Sequence, residues 1–282
     1  MIEINIDPVA FTIGSIEVRW YGIMIGLGVT ALILWTVWRV RKGANLSYET
    51  VLTAALVGIP AGIVFSRLLH VLDRWGYYSQ HPGQIIGAEG LTIYGAVLGA
   101  ALAIWIYSRF SNFRFTYAAD LVAPGIVLAQ AIGRVGCLIN GCCYGTKTSL
   151  PWGIIYTNPD SSGYSASQSL LPGIGLHPTQ VYEIMFLIIL FGVLLVLKDR
   201  LKPEGSLFLV YLGGYSLWRF SVGFIREGTD FLFGLHQAQV IGIIVVIAAV
   251  ALLVRWRVHF VKNESDIDVA RDMEVTENGQ KE

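Results

Sequence analysis

Hydrophobic positions in this chain run in long, nearly unbroken blocks separated by short polar stretches. Blocks long enough to cross a hydrocarbon core, about 20 residues at about 1.5 Å each, recur at roughly 20–38, 51–72, 91–107, 117–139, 180–197, 206–225 and 237–254. The pattern predicts an all-α integral membrane protein with seven transmembrane helices. The first block could pass for a signal peptide. The residues before it, MIEINIDPVAFTIGSIE, lack a basic n-region and no small-residue cleavage pattern follows, so it is expected to stay as an anchor.

Composition strengthens this picture. Of 282 residues, 54% are hydrophobic and only 14% charged, against about a quarter charged in a soluble domain. The charges also orient the chain, because Lys and Arg near span ends are retained on the cytoplasmic side. One set of loops holds Arg39, Arg41, Lys42, Arg109, Arg114, Lys198, Arg200, Lys202, Arg255, Arg257 and Lys262, whereas the other holds Arg19, Arg74, Lys147 and Arg226. The N-terminus is therefore expected outside and the C-terminus in the cytoplasm. Residues 1–255 read as one seven-helix domain, and 256–282, acidic with almost nothing apolar to bury, as a disordered cytoplasmic tail. The basic residues form no stripe or reading motif, so no nucleic-acid role is expected.

Two outer loops are long, 73–90 and 140–176. The second lies between helices four and five and contains one strand-like stretch, WGIIYT. Loops of such length in a compact protein are commonly functional. Small residues four apart, Gly22 and Gly26, Gly58 and Gly62, Gly95 and Gly99, predict close helix packing, and Pro60 a bend in the second helix. The three cysteines, Cys137, Cys142 and Cys143, all fall toward the outer face. The adjacent pair departs from the CxxC spacing of zinc loops. They therefore read as packing thiols, with one disulfide open to them, rather than as a zinc site completed by His177. No metal or cofactor is expected.

Three arginines fall inside the spans: Arg67, Arg134 and Arg219. Insertion scales put a mid-membrane arginine at about 2.5–3.5 kcal/mol. Each lies about five or six residues before an outer helix end, hence roughly 7–9 Å deep. Tyr21, Tyr94, Gln130, Gln180, Tyr182, Glu183, Tyr215 and Gln239 fall near that level, while the inner half holds little beyond Asp120. A structural reading has the arginines pair with acids or snorkel, and Arg67 suits it as well as it suits a binding role. Glu183, however, is the one acid clearly within the outer half, with Glu89 at the rim. The excess of cations therefore predicts an outward-opening polar site for an anion, and the anion at that depth is a lipid phosphate, which a guanidinium grips with two hydrogen bonds. A transport path would need polar groups in both halves.

Read together, WYG at 20–22, GLTIYGAVLGA at 90–100, GRVGCLINGCCYG at 133–145, LHPTQVYE at 176–183, GYSLWRF at 214–220 and AQVIG at 238–242 resemble the bacterial prolipoprotein diacylglyceryl transferase family. The resemblance implies a multi-pass enzyme of the bacterial cytoplasmic membrane with its active site toward the outer face. Such an enzyme moves the diacylglyceryl group of phosphatidylglycerol to the lipobox cysteine of a preprolipoprotein, forming a thioether and releasing glycerol phosphate. It also implies that Arg134 and Arg219 grip the phosphate, with Arg226 at the mouth. Tyr21, Asn140, Gly145, Tyr215 and Arg67 are expected to contact substrate, and Gln130, Gln180, Glu183 and Gln239 to orient those groups. Tyr94 stands where many members carry a histidine, so it is expected to take the thiol proton or to orient substrate. Cys137 and Cys142 replace an Asn and a Glu of the better-known pattern, and Gly223 a Glu. An alternative is a phospholipid-binding or lipid-moving protein of the same fold that lost the chemistry with those residues.

Overall fold

The computed structural model describes residues 1–87, 90, 92–226, 230–232 and 234–256. Glu89 and residues 257–282 of the expected tail lie outside them. Among the described residues, seven helices are long and apolar enough to span a membrane: Trp20–Arg41, Tyr48–Asp73, Ile93–Phe110, Phe115–Asn140, Thr179–Leu197, Ser206–Ile225 and Gln237–Trp256. They coincide with the seven blocks, most of them a few residues longer. The last runs to Trp256, one residue into the expected tail. The protein is thus a multi-pass membrane protein. Helix is the economical solution there, because each backbone N–H and C=O finds its partner within the segment when no water is available. Leu56 is 74% and Ile93 70% exposed, a surface that only lipid tails match.

The chain divides into two compact units, residues 33–121 and residues 1–32 with 122–282. In the smaller unit, the second and third spanning helices pack through the glycines anticipated above. A Cβ on Gly62 would meet the Ala96 carbonyl, and Cβ atoms on Gly95 and Gly99 would overlap Phe65. Gly22 and Gly26 differ from expectation, with nothing within 4 Å of either. Four-residue spacing marks a smooth helix face without saying that a neighbour uses it. In the larger unit it is Gly28, against the Ala129 carbonyl, that lets the first and fourth helices approach.

The larger unit has two layers of apolar packing. Ala123, Val127, Leu187, Leu190, Leu194, Leu207 and Tyr211 join the fourth, fifth and sixth helices. At one end, the loop 140–176 folds back as a small sheet in the order Ile2–Ile4, Ile154–Tyr156, Gly175–Leu176, Lys147–Thr148. Ile2–Ile4 runs parallel to Ile154–Tyr156, with Ile2 opposite Ile154. Ile154, Tyr156 and Leu176 bury beneath it with Ile4, Leu138 and Tyr144 alongside. A hairpin, Val9–Ile13 with Ile16–Arg19, leads into the first helix. WGIIYT is a strand as its alternation suggested, while the N-terminal strand and hairpin are additions that the span pattern left unread.

Candidate active site

Arg67, Arg134 and Arg219 each stand six residues before the last residue of their helix. Their surroundings differ. Arg67, in the smaller unit, donates from Nε to the Ile85 carbonyl at 2.9 Å and from Nη1 and Nη2 to the carbonyls of Gly90 and Gln84. It also lies 5.2 Å from the centre of the Tyr78 ring. Its fork thus fastens Gln84, Ile85 and Gly90. Tyr94, also in that unit, begins the third span and is 44% exposed.

Arg134, in the larger unit, places Nη2 2.9 Å from Glu183 Oε1, and the acid is 2% exposed. The Tyr215 hydroxyl donates to the same oxygen at 3.0 Å. Arg134 Nη1 faces Cys137 Sγ at 3.8 Å. A buried carboxylate needs such partners, since an unpaired charge there would cost several kcal/mol. Arg219 follows Tyr215 by one helical turn, and the two interact electrostatically. Its Nη1 is buried and has no hydrogen-bond partner, as has its neighbour Trp218 Nε1. The group therefore contains one neutralised cation and one with a donor left open. That open donor is what an anion would satisfy.

The fourth helix ends just beyond Arg134 in a left-handed cap. Gly141, at φ +70°, lets the Cys142 N–H reach the Cys137 carbonyl at 3.1 Å and its own N–H reach that of Leu138 at 3.3 Å, a Schellman arrangement. Its apolar contact joins the third helical residue from the end to the second residue past it, here Cys137 and Cys142. The turn continues through Cys143 at φ +65°, and the three Sγ atoms lie within 4.8 Å of one another. The neighbouring Cys137 and Cys142 thiols, with Arg226 and Arg134 nearby, hold the Cys143 thiol well below the ordinary cysteine range against the opposing effect of burial.

The start of the fifth helix clamps this turn. Gln180 Nε2 donates to the Cys142 carbonyl at 2.7 Å and Thr179 Oγ1 to that of Cys143. Gln180 also reaches the Tyr156 hydroxyl. Asn140 closes the far side through its Nδ2 to Ser162 Oγ at 3.3 Å. Gly145 bridges to Arg226 and donates to the His177 carbonyl at 2.8 Å. A Cβ there would strike Ile225, His177 and Thr179, so glycine is required by close approach. Tyr21 lies in electrostatic range of Arg134 and the thiols, beside Gly136, where the first and fourth helices touch. Gln130 lies near Tyr211, and its Oε1 is buried without a hydrogen-bond partner. Gln239 is occupied with backbone, accepting from the His236 N–H and donating to the Phe220 carbonyl. His177 faces the Tyr182 hydroxyl at 3.3 Å. Thr179 and Trp218 were not singled out from sequence, and an apolar run gives no sign of a loop clamp or an idle indole donor.

Fold and site define a polytopic membrane protein with a buried cation–carboxylate–phenol group beside a cysteine-rich turn. The chain belongs to the prolipoprotein diacylglyceryl transferase family, whose model matches residues 8–255. A protein of Dehalococcoides mccartyi named phosphatidylglycerol–prolipoprotein diacylglyceryl transferase is 53% identical over 254 residues, 90% of this chain and 95% of its own. Proteins of the same name from Clostridioides difficile, 36% identical over 86% of this chain and 93% of theirs, and Finegoldia magna, 34% over 92% and 99%, are also similar.

Proposed function

We propose that this protein transfers the diacylglyceryl group of phosphatidylglycerol to the lipobox cysteine of preprolipoproteins in the bacterial cytoplasmic membrane, its site facing outward. The peptide sulfur attacks the glyceryl carbon, the C–O bond to phosphate breaks, and glycerol phosphate leaves with the electron pair. Negative charge gathers on the departing phosphate, and fixed donors in a dry site are the strongest means of stabilising it. Arg219, whose buried Nη1 is unpartnered, grips that phosphate, and this single observation carries the assignment. Arg134, held by Glu183, completes the positive wall, and Arg226 receives the headgroup at the mouth. Tyr215 and Tyr21 bound the pocket, while Gln130, Gln180 and Gln239 keep its walls in place. Tyr94, at the third-helix position where many members carry a histidine, is the residue assigned to take the thiol proton or to orient substrate.

The deciding experiment incubates the purified protein with phosphatidylglycerol vesicles and a lipobox peptide and looks for the thioether by mass. Product is expected. Lipid binding that depends on Arg134 and Arg219 but yields no modified peptide would make the protein a lipid binder instead.

A further inference from the structure

We infer that Cys137, Cys142 and Cys143 form a three-thiolate site for a zinc-class cation whose fourth position receives the thiol of the incoming peptide. The second half of this inference rests on the transferase reading; the first does not.

The Schellman cap explains two of the thiols and no more. Its apolar contact brings Cys137 and Cys142 together, and any two small hydrophobic residues would serve. Cys143 is different. It holds φ +65°, a conformation that disfavours every side chain with a Cβ by roughly 1–2 kcal/mol and that glycine adopts freely. A residue merely following the cap has no reason to be cysteine there. The consequence of that φ is that a third sulfur turns back on the first two, all three within 4.8 Å. Zinc binds thiolates at about 2.3 Å, which sets neighbouring sulfurs about 3.8 Å apart in a tetrahedron. Closing to that distance takes only small side-chain rotations.

The surroundings suit a metal thiolate. Five hydrogen bonds, one each from Gln180, Thr179 and Gly145 and two from the cap itself, hold the turn, and a preformed ligand set of this kind is what metal affinity requires. Three thiolates around a dication carry one net negative charge, and Arg226 and Arg134 both act on Cys143. Among the described residues the cluster consists of these three side chains. His177 is engaged by Tyr182 instead. Three protein ligands with one position open is the pattern of zinc sites that act on a ligand, whereas four closed ligands mark structural ones.

What an open position on zinc would do here is specific. A thiol that coordinates loses its proton to water, so the nucleophile is generated without a strong base, in a protein whose third-helix motif offers a phenol in place of an imidazole. The coordinated thiolate then forms the S–C bond as the C–O bond to phosphate breaks, and the neutral thioether, a poor ligand, leaves the metal. Arg134 Nη1 is 3.8 Å from Cys137 Sγ, so nucleophile and phosphate would be held side by side.

The test uses the full-length protein in detergent or nanodiscs. Zinc content by atomic emission is expected at one per chain. Cobalt(II) exchanged into the site should give intense thiolate charge-transfer absorption, and adding lipobox peptide, but not its serine analogue, should shift that absorption. Chelation should lower lipidation about 10²-fold, the order of gain that a supplied base gives, with recovery on adding Zn²⁺. Cys143→Gly relieves the backbone and keeps the cap, so it should be at least as heat-stable as the chelated parent yet bind no metal. If the protein lipidates peptide while holding no zinc and ignoring chelator, the metal site is overturned and the transferase reading stands. If zinc binds through the three cysteines but no peptide is modified, the transferase reading falls and the site remains. If cobalt binds with an absorption indifferent to peptide thiol, the open fourth position is overturned.

Discussion

At the scale of single residues, Arg134 and Arg219 look alike in sequence, and geometry separates them. Arg219→Gln removes a donor that the protein itself leaves open, so initial lipidation rates should fall about 10²–10³-fold with thermal unfolding little changed. Arg134→Gln should lose comparable activity and also destabilise by about 3–5 kcal/mol, because it strands a carboxylate 2% exposed in a buried setting. Adding Glu183→Gln should restore the melting temperature and leave activity low. A double variant as unstable as the single one would contradict the pairing. Arg67 belongs to another category, since its three carbonyl contacts predict that Arg67→Ala exposes residues 84–87 to limited proteolysis. Sequence showed that all three arginines were expensive to bury, and it placed Glu183 as the acid among them. It gave no means of deciding which guanidinium the acid takes or which one turns to backbone, because those choices depend on side-chain reach across helices far apart in the chain.

Individual elements were the most legible level. Each spanning helix announced itself because uniform apolarity over about 20 residues has one stable solution in lipid. Packing between helices was legible only where both partners carry a smooth face. Gly62 and Gly95 lie against each other's helices as their spacing suggested, so Gly95→Leu should disrupt the smaller unit and lower expression sharply. Gly22→Ala, in open space, should behave as the parent does in the same assay. The N-terminal hairpin was readable in principle: VAFTI and IEVR flank Gly-Ser, and Gly14 takes φ +62°, as two-residue hairpin loops favour. Its strands are five and four residues long, too brief to compete with the span signal beside them. The cysteine turn could not be read at all from CxxC rules. Its geometry comes from the end of a helix, and the spacing of five between Cys137 and Cys142 is that of a Schellman contact.

For the molecule as a whole, the count of spans constrains the topology before any coordinate is known. Four crossings separate the N-terminal segment from the loop after the fourth helix and so put both at the same end, and the pairing of Ile2–Ile4 with Ile154–Tyr156 agrees with that parity. Which end faces the cytoplasm follows from the Lys and Arg bias alone. A fluorescent protein fused to the C-terminus should therefore be bright in intact cells, and an N-terminal epitope should be reached by antibody in spheroplasts without permeabilisation. The reverse pattern would invert the molecule and place the cysteine turn against the cytosol.

That same parallel pairing also sets an order of events during synthesis. The strand Ile2–Ile4 finds its partner only after some 150 more residues have been made and four helices have been threaded. Until then the leading segment has nothing to zip onto. This strand acts as a latch thrown late, and deleting Ile2–Ile4 should spare insertion into the bilayer while loosening Tyr156 and Leu176, against which Ile4 packs.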